Sequence, residues 1–149
     1  MLAMTHYGRA YIDDARARID AQVAAYRALA EAGAEASAAA DPAVREAYEA
    51  AATAFEPVWF NSLVQVLENF FVHRQRGLEG KDGNALNEVR VLCSSLTGNG
   101  GRLAADKQIK LKPETSVLGY AVGDEIRVTE AAFLRLAQAY FEQIEAKFL

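Results

Sequence analysis

The stretch that decides the fold is PVWFNSLVQVLENFFVHRQ, residues 57–75, the most apolar run in the chain. At about 100° per residue, Trp59, Phe60, Leu63, Val64, Val66, Leu67, Phe70 and Phe71 fall on one wide arc. Asn61, Ser62, Gln65, Glu68, Asn69, His73 and Arg76 fall on the other. So broad an apolar face predicts a helix that touches several neighbours at once, the central member of a core.

The segments on either side supply those neighbours. Upstream, Asp41-Pro42 predicts a helix start, with Asp as N-cap and Pro at the first helical position. Val44, Tyr48, Ala51, Ala52 and Phe55 carry that helix forward, and Pro57, which lacks an N–H, predicts a kink or restart near Phe55. Before it, Tyr11, Ile12, Ala15, Ile19, Val23, Tyr26, Leu29 and Ala30 predict a first helix from about Arg9 to Ala32, followed by a loop from Gly33 to Asp41. Downstream, GLEGKDGN (77–84) reads as a polar turn, and Ala85, Leu86, Val89, Leu92, Cys93 and Leu96 predict a helix over about 84–97, with Gly98 as its C-cap. IKLK, SVLGY and EIRV are short and β-favouring, which predicts a small hairpin or meander over about 108–128. Thr129 then caps a last helix, about Glu130 to Phe148, with Val128 and Phe133 placed as a hydrophobic staple. The expectation is therefore a mainly α, single helical domain over 1–149, a four-helix-type bundle with a β insertion before its last helix.

Composition narrows the setting. The 149 residues are 52% hydrophobic and 24% charged, an ordinary globular mix. No run approaches the roughly 20 apolar residues of a membrane helix, the N-terminal residues do not read as a signal peptide, and the lone Cys93 excludes an internal disulfide; a cytoplasmic location without membrane attachment is expected. The net charge is −4, yet residues 73–112 carry eight Lys/Arg against four Asp/Glu, while 1–72 carry five against ten and 113–149 three against six. A basic middle between acidic flanks suits either internal pairing or an anion-binding face.

The chemistry-bearing candidates cluster there. His73, Arg74, Arg76, Lys81, Asn87 and Arg90 are the candidate ligand-binding residues, and nucleic acid or a phosphate-bearing molecule is the ligand class that their charge suits. Arg74 falls inside the apolar arc, so its guanidinium needs a partner, with Glu79, Asp82 and Glu88 the nearest acids in sequence. His73 lacks convergent partners, since the other histidine, His6, lies near a terminus expected to be mobile. EGKDGNALNE (79–88) fails the calcium-loop spacing, and TGNGGR (97–102) lacks the Lys-Ser/Thr of a phosphate loop. Glu68 has no second acid at helical spacing, and Cys93 reads as a small buried hydrophobe. No catalytic residue, metal ligand set or cofactor is expected from these patterns.

A small helical chain with a basic middle invites comparison with the HEPN ribonucleases, which carry an Arg, four to six residues, then a His. The matching positions here hold Glu79, Gly80, Lys81, Asp82 and Gly83, so that activity does not transfer. NFFVHRQRGLEGKDGNALNEVRVL (69–92) with SVLGYAVGDEIRVTEAAFLRL (116–136) resembles a small uncharacterised bacterial family of helical proteins, a resemblance over the C-terminal two thirds that implies no activity. The leading expectation is a binding or interaction protein that forms a homodimer, with Tyr7 and Val91 placed at outer surfaces. An anion-binding protein using the basic segment, Lys107 and Lys110 included, and an enzyme acting around Glu68, His73, Arg74, Asn87 and Arg90 are the alternatives.

Overall fold

A computed structural model describes residues 2–149. The protein is mainly helical: α1 (Arg9–Ala38), α2 (Pro42–Phe70), a single turn α3 (Arg76–Glu79), α4 (Ala85–Gly98) and α5 (Glu130–Phe148). No helix among the described residues is long and apolar enough to cross a membrane.

The expected N-caps at Asp41 and Thr129 are present, and Asn84 caps α4. Asp41 accepts from Val44 N, Asn84 from Leu86 N and Asn87 N, and Thr129 from Ala132 N, each satisfying donors that the first helical turn leaves free. Val128 and Phe133 are both buried beside the last cap. Gly98 is the last helical residue and Asn99 the C-cap. Pro57 sits inside α2, which runs through it as one helix without a restart.

The core gathers on α2 as the 57–75 pattern predicts. Phe60, Leu63, Val64, Leu67 and Phe71 are buried against Ile12, Ile19 and Val23 of α1, Leu86, Val89 and Leu92 of α4, and Phe133, Leu136, Tyr140 and Phe141 of α5. Phe71 is the aromatic centre, edge-on to both Tyr7 and Phe141 with ring centroids 5.0 and 5.9 Å apart.

Three expectations are corrected. The first helix continues six residues past Ala32, through Gly33 to Ala38. A side chain does not fit at Gly33 inside the helix, because the Tyr48 ring lies 2.3 Å from where a Cβ would stand, and the Tyr48 hydroxyl donates to Ala30 O. The segment 108–128 forms no strand; the described residues contain only two isolated bridges, Met4 with Arg74 and Arg102 with Glu125. Its backbone groups are satisfied by turn and loop backbone, as in Gly123 N to Leu103 O and Ile126 N to Gly101 O, and at several points by side chains. Asn61 of α2 donates to Ile126 O and accepts from Val128 N, while Glu88 of α4 accepts from Val117 N (2.7 Å) and Leu118 N (2.9 Å). The third concerns the outer surfaces, since Tyr7 and Val91 are only 6% and 3% exposed and belong to the core.

The chain near its N-terminus is docked. Met4 N donates to His73 O, Gln75 N to Met4 O, and Tyr7 N to Phe148 O. These bonds clamp the exit of α2, where the charged candidates lie.

Candidate functional site

Arg74 leaves the end of α2 and turns into the core, almost wholly buried. Its Nη1 donates to Glu68 Oε2 (2.9 Å), Phe71 O (3.1 Å) and the Tyr140 hydroxyl (3.2 Å), and its Nη2 donates to Leu86 O (3.2 Å). Its Nε lies 3.2 Å from Glu79 Oε2, near enough for an ion pair but out of line for a hydrogen bond. Burial pulls the Arg74 pKa down, and the facing Tyr140, Glu68 and Glu79 more than reverse it, so the guanidinium stays charged.

Glu79, supplied by the one-turn α3, ties three elements together. It accepts from Arg90 Nε (3.0 Å) and Nη2 (2.5 Å) and from Asn87 Nδ2 (3.0 Å), while Lys147 Nζ of α5 caps its carbonyl at 2.8 Å. Burial alone would raise its pKa; the hydrogen bond from Arg90 and the charge of Arg74 hold it below the ordinary value of 4.5. Two buried carboxylates, Glu68 and Glu79, thus face two guanidiniums, Arg74 and Arg90, and the cluster is neutral.

The six candidate residues do not form one open site. Arg74, Asn87 and Arg90 meet on Glu79, while Arg76, about half exposed, approaches it only to 3.6 Å. Lys81 stands outside, its Nζ 3.2 Å from Gln108 Oε1. His73 is exposed and shares an open cleft of about 360 Å³ with His6, Met4, Tyr11 and Phe70. Of the acids expected near Arg74, Glu79 is its partner. Asp82 instead accepts from Asn84 Nδ2, and Glu88 holds the 117–118 loop. Among the described residues no cation pairs with Glu88, and burial pushes its carboxyl up despite the two backbone N–H donors. Periodicity places Glu68 on a polar arc, yet it is buried, with Arg74 of the segment after α2 and Tyr140 of α5 donating to it.

Behind Glu68, α2 and α4 leave a groove of about 290 Å³, walled by Gln65 and Asn69 on one side and by Cys93, Ser94 and Thr97 on the other. Cys93 Sγ lies 3.7 Å from Val64 O, and burial pushes its thiol up to about 12, far from the thiolate range of a nucleophile. Among the described residues, no three His, Cys, Asp or Glu side chains stand together as a metal site.

A second feature lies at the opposite end of α2. At about 1.5 Å per residue, α1 and α2 are each about 44 Å long and α5 about 29 Å. The start of α5 reaches only as far as Arg27 and Glu56, which pair with the side chain and the N–H of Glu130. Beyond that level the two helices stand alone as an arm, and no residue between Ala38 and Trp59 is buried. Ala25, Leu29, Ala32 and Ala36 form one stripe on α1, and Val44, Ala47, Ala51, Phe55 and Val58 form another on α2, all exposed. Leu29 is 69% and Val58 61% exposed. The two stripes turn to the same side, since Leu29, Ala51 and Phe55 line one groove of about 320 Å³ with no charged residue in its wall. By helical spacing, Glu31, Glu35, Glu46, Glu49 and Glu56 lie on the other flanks.

Comparison with known proteins adds no assignment. Neither a protein-family model, nor a curated protein, nor a solved structure matches this chain.

Proposed function

We propose that this protein is an interaction module, a helical bundle that pairs with a second copy of itself through the charge-free face of the α1–α2 arm. The observation that carries the reading is that face: nine exposed residues from two antiparallel helices, all Ala, Val, Leu or Phe. A contiguous apolar patch of several hundred Å² is often an interaction site.

A second copy is the occupant that the face suits. It spans about 20 Å across two helices and about 22 Å along fifteen residues, on the order of 450 Å² in plan. Two copies would cover about 900–1,000 Å² together, near the lower limit for a specific interface. A twofold contact sets the same patch against itself, and a face without charge brings no like charges together. Small alanines alternating with Leu29, Phe55 and Val58 provide both the projections and the hollows. The setting consistent with this reading is a bacterial cytoplasm, with no cofactor and no catalytic step.

Sedimentation equilibrium tests it. The wild-type chain is expected to dimerise with a dissociation constant on the order of micromolar. The Leu29→Glu/Ala51→Glu variant, altered only at exposed positions, should be a folded monomer. A wild-type chain that remains monomeric at about 100 µM overturns the proposal.

A further inference from the structure

The dimer reading leaves unused the cleft beside the exit of α2. Two stretches far apart in the chain wall it, 4–11 and 70–73, and the bonds from Met4 N to His73 O and from Gln75 N to Met4 O, both 2.8 Å, hold them together. At about 360 Å³ the cleft is larger than the arm groove and falls within the range of small-molecule sites. Its wall is largely aromatic, with Tyr7, Tyr11 and Phe70 beside Met4. Tyr11 stacks on Tyr7, ring centroids 5.5 Å apart, yet it is 45% exposed, so aromatic surface stays open to a ligand. The Tyr11 hydroxyl is committed to Phe70 O at 2.5 Å. The other exposed polar side chains of the wall are His6 and His73, one on each stretch. Sequence spacing keeps these two histidines apart; the docked N-terminal residues bring them to one cleft.

We infer that this cleft binds a small aromatic carboxylate, its ring laid against Tyr11 and Phe70 and its carboxylate shared between the N–H groups of His6 and His73. A neutral imidazole carries one N–H donor and an imidazolium two, so two histidines can serve both oxygens of one carboxylate. Charge sets the ligand class. Among the described residues, no Asp or Glu lines the cleft to receive an ammonium group, and no Lys or Arg lines it to hold a phosphate. Arg9 and Arg74, its neighbours in sequence, are engaged elsewhere, Arg9 with Glu145 and Arg74 inside the buried cluster. The wall sets the rest of the ligand, since ring-on-ring and ring-on-thioether contacts favour a planar apolar body. With one imidazole from each stretch, such a ligand also pins the N-terminal residues to the end of α2.

The test uses the whole chain and two probes, 2-naphthoate and the neutral 2-naphthalenemethanol, followed by amide signals in two-dimensional NMR. Naphthoate should give saturable shifts centred on His6, Gly8, Tyr11 and His73. It should bind at least about tenfold more tightly than the alcohol, the difference made by hydrogen bonds to a charged group. His6→Ala/His73→Ala, altered only at exposed positions, should erase that preference and leave binding of the alcohol unchanged. Gly8→Leu should abolish binding of both probes while the remaining spectrum stays native. Residue 8 lines the cleft with φ −65, and a Cβ there meets nothing within 4 Å, so the added side chain extends into open space. No saturable shift with naphthoate, equal binding of the two probes, a preference kept in the double histidine variant, or unchanged binding in Gly8→Leu each overturns the inference. The arm lies at the other end of α2, so these results are independent of whether the chain dimerises.

Discussion

Glu79→Gln is the perturbation that probes the buried ion cluster most directly. The substitution keeps the shape of the side chain and removes one charge, placing an amide NH2 or a neutral oxygen against Arg90 at 2.5 and 3.0 Å and Arg74 at 3.2 Å. The two guanidiniums are then left with Glu68 alone. Hydrogen bonds to charged groups contribute about 1.5–3 kcal/mol each, but these share one carboxylate and do not add. The better guide is the cost of removing one partner from a buried pair, about 3–5 kcal/mol. For a chain of this size that corresponds to a fall of roughly 6–20 °C in melting temperature. Urea denaturation at pH 7 reads it as a lower midpoint at constant slope. The acid limb gives a second readout. Glu79 is held below its ordinary 4.5, so its contribution is full above that value and is lost as pH falls through the depressed one. The variant should therefore lose less stability between pH 5 and 3 than the wild type does, as far as this residue sets the slope. Adding Arg90→Gln to Glu79→Gln should cost less than the sum of the two single changes. A loss below about 1 kcal/mol with additive double-variant behaviour would refute the account of the cluster as a dry, mutually dependent set.

Other predictions test separate features. Glu88 behaves oppositely to Glu79: its pKa is raised by burial, so its contribution is present in full below 4.5 and is lost as pH rises through the raised value. Glu88→Gln should flatten that decline, measured as urea midpoints across pH 4–8, and should loosen the 117–118 loop by removing one of two acceptors. Gly83→Ala should destabilise strongly, by about 2 kcal/mol or more in thermal or urea unfolding, because residue 83 has φ +87 and a Cβ would lie 2.4 Å from Lys110 O. Gly77→Ala, with nothing within 4 Å in a helical turn, should be neutral or stabilising by about 0.5–1 kcal/mol in the same assay. Cys93 should react with a thiol reagent at pH 8 far more slowly in the folded chain than in urea, given a thiol pushed up to about 12.

Much of the helical framework is legible in the residues because it depends on local rules. The apolar arc of 57–71, the Asp41 and Thr129 caps and the placing of Val128 and Phe133 about the last cap all follow from spacing and from side-chain chemistry within a few residues. Arg74 is likewise legible as a buried charge from its place on that arc. What spacing cannot supply is which distant group completes a local feature. Glu68 reads as a solvent-facing residue until the 72–90 segment folds over it, and then becomes the second carboxylate of the cluster. The β-favouring runs of 108–128 read as strands because propensity does not register that Asn61 and Glu88, from two other helices, take the backbone groups a partner strand would have used. Gly33 reads as a stop because the ring of Tyr48, fifteen residues on, is what makes a glycine useful there.

The arm has a consequence for how the molecule breathes. With nothing buried between Ala38 and Trp59, its backbone is held by helical hydrogen bonds and a thin seam of Tyr26, Tyr48 and Phe55 contacts, so its amide protons should exchange long before those around Phe60 and Phe71. Fraying begins at the tip near Asp41 and stops where α5 joins. Anything that settles on the arm must first still that motion, and the slowing of exchange along residues 28–55 would record its arrival without a label.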